Sequence, residues 1–69
     1  MKIEVIYHLQ EVRRKKNISR EVLAQISGVE EDMIYDIEQG RCDPTLQTVC
    51  RLAEALETST EMLYSYMIR

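Results

Sequence analysis

Glycine and proline are scarce in this 69-residue chain, with two of the first and one of the second. A β-sandwich needs turn residues at short, regular intervals, so their scarcity argues against an all-β fold, while 45% hydrophobic content argues against a disordered chain. His8 is the only histidine, and Cys42 and Cys50 have no second pair or flanking His to complete a zinc set. Both thiols are therefore read as free, Cys50 packed on a helix and Cys42 in a loop, with no metal implied. No apolar run approaches the roughly 18 to 20 residues of a membrane span, and residues 1 to 12 have the wrong flanks for a signal peptide, which places the protein in the cytoplasm. There is no nucleophile and base at a sensible spacing and no Gly-rich phosphate loop, so an enzyme is not expected and no cofactor is implied.

What is present reads as helix. A chain this short makes one domain at most, residues 1 to 69, and buries only about 60% of its unfolded surface, so its core must be mostly local. The strongest local signals fall between residues 19 and 44. Ser19 caps a helix over Arg20 to Ser27 carrying Leu23, Ala24 and Ile26, with Arg20 pointing outward. Gly28 gives the backbone freedom for a sharp turn, and a second helix from after Val29 to about Gln39 carries Ile34 and Ile37. Gly40 ends it as a left-handed cap. Two short helices crossing steeply about a glycine turn form a helix-turn-helix unit, with its core at 19 to 44.

Either side of that unit the reading is less local. In residues 1 to 16, Ile3, Val5 and Tyr7 alternate like a strand, whereas Val5, Leu9 and Val12 repeat like a helix. Helix takes over from His8, a surface or capping residue, and Arg13, Arg14, Lys15 and Lys16 crowd the last turn, where cations complement the helix dipole. Thr45 caps a fourth helix with a core stripe of Leu46, Val49, Leu52, Ala53 and Leu56. Ser59 or Thr60 caps a last helix through Leu63, and Tyr64 to Ile68 alternates again. Either the two chain ends pair as a small two-stranded ribbon, or the first and fifth helices lengthen.

The ordered set of Leu9, Val12, Arg13, Ser19, Leu23, Ala24, Gly28 and Val29 resembles the helix-turn-helix domains of phage repressors and Cro, the XRE-type group. The likeness continues through Ile34, Ile37, Glu38, Gly40 and Pro44 to Leu52, Ala53, Leu56 and Leu63, and so covers about residues 9 to 63. The resemblance implies an all-α, compact five-helix bundle of the lambda-repressor kind. It also implies a salt bridge between Arg13 and Glu38 that ties the first helix to the end of the third. A guanidinium offers a planar fork to a carboxylate, so such a pair fixes orientation as well as charge.

The same resemblance implies a DNA-binding transcriptional regulator acting as a homodimer on a two-fold operator. Its third helix would lie in the major groove of double-stranded DNA. The base-facing set is then Glu30, Glu31, Asp32, Met33 and Asp36, with Tyr35 on the same helix reaching a phosphate, packing on a partner or standing as plain surface. Ser19, Arg20 and Arg41 take phosphates, with Arg14, Lys15 and Lys16 as further basic groups on the rim. Pairing is expected through the apolar tail of Leu63, Tyr64, Tyr66, Met67 and Ile68.

Charge argues for another class of function. The net charge is −3, and residues 30 to 43 hold six acids against Arg41 alone. Carboxylates oppose the phosphate neutralisation on which DNA affinity rests. One acid can accept from a cytosine amino group, but four cannot easily do so together. The alternative is a protein-interaction module, anti-repressor or antitoxin-like, whose acidic helix meets a basic protein partner. The bland account of the acids is that they stabilise the start of their own helix.

Overall fold

Leu9, Leu23, Ile34, Ile37, Leu52 and Leu56 are almost completely buried, and they gather four helices around one core. Burying each such side chain contributes about 1.5–3 kcal/mol. In the computed structural model, which describes residues 1 to 69, a strand β1 (Ile3–Tyr7) leads into α1 (Leu9–Lys15), α2 (Arg20–Ser27), α3 (Glu31–Glu38) and α4 (Leu46–Ala55). A 3-10 turn (Thr60–Leu63) then delivers the chain to β2 (Tyr64–Ile68). The strands pair antiparallel, Ile3 opposite Ile68, Val5 opposite Tyr66 and Tyr7 opposite Tyr64.

The fold is therefore mostly helical but neither all-α nor five-helical. Between Ser59 and Tyr64 there is room only for a 3-10 turn, and Ser59 makes no side-chain cap. The alternating segments at the two ends satisfy each other's backbone groups instead, as a two-stranded ribbon. The ribbon is fastened to the bundle at its base. The His8 backbone N–H donates to the Leu63 carbonyl at 2.8 Å, and His8 Nε2 lies 3.0 Å from Ser65 Oγ.

Helix ends follow from single residues. Ser19 Oγ accepts from the Val22 N–H at 3.1 Å and Thr45 Oγ1 from the Thr48 N–H at 3.2 Å, which starts α2 and α4. α3 has no side-chain cap of its own; Glu31 and Asp32 in its first turn stabilise that end through the dipole. At its other end Gly40, at φ 73°, donates to the Ile37 carbonyl, and Arg41 donates to the Asp36 carbonyl. This Schellman geometry turns the chain back over the helix and thereby places Arg41. A Cβ on Gly40 would meet nothing within 4 Å, so the cost of Gly40→Ala is the left-handed backbone alone. Thermal melts should show a loss of about 1–2 kcal/mol, a fall in Tm of about 5–10 °C.

Three packing expectations need correction. Leu46 is exposed rather than part of the core stripe, because it precedes the point where α4 meets the bundle; the buried stripe begins at Val49. Cys50 lies on α4 as expected but is exposed, off the apolar stripe, whereas Cys42, in the loop after α3, is half-buried against the core. Leu63 belongs to the core and not to an exposed tail.

Candidate nucleic-acid interface

Ile34 and Ile37 face the core from α3, so at 100° per residue Asp32, Tyr35 and Asp36 occupy the opposite side, with Glu31 at its edge. Glu30, Glu31, Asp32, Met33 and Tyr35 are exposed and Asp36 is half-buried. The acids gather at the start of this face. Its second half is organised by arginine.

Glu38 is the anchor of that second half. Its side chain is wholly buried, and Arg13, 10% exposed, meets it with two bonds, Nε to Oε2 at 2.7 Å and Nη2 to Oε1 at 3.2 Å. Arg13 Nη1 also donates to the Ile18 carbonyl at 2.9 Å, so the guanidinium ties α1, the α1–α2 connection and α3 together. Arg20 Nη1 lies 3.6 Å from Glu38 Oε1, which holds this side chain half-buried against α3 rather than pointing freely outward. Its guanidinium carbon is 4.9 Å from the centre of the Tyr35 ring, and that of Arg41 is 5.6 Å from the same ring. Tyr35 is thus a platform on which two cations rest. Arg41 has no carboxylate within 4.0 Å, so its fork is open for bidentate contact with a phosphate.

The loop after α3 is held from the ribbon side. Tyr7 Oη donates to Asp43 Oδ1 at 3.4 Å. Burial, and then the negative Asp43 beside it, push the Tyr7 phenol above its ordinary pKa, which keeps it a donor. The Cys42 thiol is pushed up as well, by burial first and then by Asp36 and Asp43, so it is a poor nucleophile at neutral pH. No three His, Cys, Asp or Glu side chains converge as a metal cage.

The structure brings Arg20, Tyr35 and Arg41 together, beside the acids of α3. Ser19 caps α2 next to Arg20, and because its oxygen only accepts there, the hydroxyl proton remains available to a phosphate. Arg14 and Lys16 are exposed at the end of α1 and bond to none of the cluster side chains. Arg51 was not foreseen in the sequence. Its Nη1 lies 3.6 Å from where a Cβ of residue 28 would stand, and it lines a shallow cavity with Glu30, Met33, Gln47 and Thr48 at the acidic start of α3. The one available signal was its place four residues after Gln47 on the polar side of α4, which meets the turn only once the helix crossing is known. The acidic face is therefore flanked by arginine at both ends.

Residues 8–63 match the family model described as a helix-turn-helix domain. Over 80% of its length the chain is similar to the solved structure of an HTH_3 family transcriptional regulator from Vibrio cholerae, with 33% identity and a TM-score of 0.76. It spans only 31% of that protein's chain. It is also similar to the restriction-modification controller protein C.AhdI from Aeromonas hydrophila, with 31% identity and a TM-score of 0.77 over 80% of this chain and 83% of that one. No curated protein sequence matches it.

Proposed function

The chain belongs to the helix-turn-helix domain family, and on that premise we propose that it is a DNA-binding transcriptional regulator of the XRE type that sits on a two-fold operator as a homodimer in the cytoplasm. The observation that carries the reading is the Arg20–Tyr35–Arg41 cluster, which sets two cations beside the outward face of α3. α3 enters the major groove, Arg20 and Arg41 take phosphates on its flank with Ser19 adding a hydroxyl, and Arg14 and Lys16 supply outlying positive charge. Glu31, Asp32 and Asp36 meet base edges, where a carboxylate accepts from an exposed amino group such as that of cytosine. No helix is long and apolar enough to cross a membrane.

Selection from a random duplex library at low salt, followed by a salt titration of the enriched sequence, tests this. Affinity should fall steeply with salt, and Arg20→Ala or Arg41→Ala should each lower the slope of log K against log salt by about 1. The exposed carboxylates of Glu30, Glu31 and Asp32 favour a second reading, in which α3 meets a basic protein. No enrichment of any duplex, together with salt-sensitive binding of a basic partner lost on neutralising these acids, would establish that reading in place of the first.

A further inference from the structure

The pairing of Ile3 with Ile68, Val5 with Tyr66 and Tyr7 with Tyr64 puts six apolar or aromatic side chains on one face of the ribbon. Pro44 and Leu46 continue that face onto the start of α4, and together they line one open groove without a charged side chain. The charges of the ribbon lie on its other side, where Arg69 Nη2 meets Glu4 Oε2 at 3.3 Å. Leu46 is 75% exposed, Ile68 62%, Tyr66 59% and Ile3 53%. With Met1 and Val5, these residues expose on the order of the ~800 Å² that each partner covers in a standard protein interface. Monomeric proteins rarely leave so large an apolar patch in water, and a two-stranded ribbon is only marginally stable unless another surface packs on it.

We propose that two copies of this chain associate face to face through this side of the β1–β2 ribbon, with Leu46 of each copy at the margin of the contact. The partner is a second copy because an uncharged apolar face offers a partner of either sign no counter-charge, whereas it complements itself about a two-fold axis. The inference rests on the homodimer of the proposed function and moves its surface. Half of the interface comes from the N-terminal strand, and the Met67 side of the C-terminal segment lies outside it. At its inner end the face reaches Tyr7, whose bond to Asp43 lies two residues from Arg41, so pairing and phosphate contact share one loop.

Sedimentation equilibrium of the full chain, without DNA, tests the pairing. The wild type should be dimeric at about 100 µM, and Tyr66→Lys should weaken the dimer at least about a hundredfold, because a two-fold interface carries each buried charge twice. Leu46→Lys lies outside the ribbon and cannot unpair it, and it should weaken the dimer in the same direction. Met67→Lys, opposite Glu4 on the other side, should change the dissociation constant by less than about threefold. A monomeric wild type overturns the proposal, as does a dimer that survives both Tyr66→Lys and Leu46→Lys or is lost with Met67→Lys. A dimer with the expected pattern that binds no duplex upholds the pairing and counts against the DNA-binding reading alone.

Discussion

Arg13→Ala should lower the stability of the protein by about 3–5 kcal/mol, because it leaves the Glu38 carboxylate buried with only the longer contact to Arg20. In a domain of this size each kcal/mol moves Tm by about 4–8 °C, so the melting temperature falls by at least about 12 °C. The cost is that of an orphaned charge rather than the net worth of the pair. Replacing both partners, as Arg13→Met with Glu38→Leu, should therefore recover most of the loss, to within about 1–2 kcal/mol of the wild type. Equal melting curves for Arg13→Ala and the wild type would remove the architectural role of the bridge. Because Glu38 also holds Arg20 against Tyr35, the same variant should weaken duplex binding even at temperatures where it remains folded.

Neutralising the acids of α3 should have the largest effect on DNA. Each carboxylate brought near a phosphate costs on the order of 1 kcal/mol in water. The combined variant Glu30→Gln, Glu31→Gln, Asp32→Asn and Asp36→Asn should therefore bind random duplex about a hundred to a thousand times more tightly at low salt. Specificity should move the other way. A side-chain amide donates as well as accepts, so the preference for exposed amino groups is lost and the enriched sequence blurs. An unchanged affinity for random duplex, measured by fluorescence anisotropy, would mean that this face stays away from the groove. The variant also gives up favourable charge at the start of α3, a loss of about 0.3–1 kcal/mol for each side chain near that end.

The helix-turn-helix unit was legible because its signals are local. Ser19 and Gly28 bound α2 at Arg20 and Ser27, and Gly40 closes α3, through bonds reaching only a few residues along the chain. The ribbon was legible only as one of two alternatives, since Val5 fits a strand period with Ile3 and Tyr7 and a helix period with Leu9 and Val12, and only pairing with the far end of the chain, Ile3 with Ile68 through Tyr7 with Tyr64, chooses between them. The charge around α3 was legible only in part, for a related reason. A count over residues 30 to 43 includes Glu38, which the family resemblance already pairs with Arg13, and Asp43, which only the fold gives to Tyr7. It also omits Arg20 and Arg51, which come from other helices to stand beside α3. Contact between Tyr35 and two arginines depends on the crossing of α2 over α3 and on the turn at Gly40, neither of which is written in their spacing.

The ribbon also has a bearing on the order of events in folding. Every helix of the bundle finds its neighbours through short connections, and such contacts form early because little chain entropy is lost in closing them. The last rungs of the ribbon, Lys2 to Arg69 at 2.7 Å and Arg69 to Lys2 at 2.6 Å, join the ends of the described chain and close its largest loop. Closing that loop costs the most chain entropy of any contact in the fold, so fraying of these terminal rungs is the expected first local opening of the protein, while the anchor between His8 and Leu63 and the helices behind it stay closed.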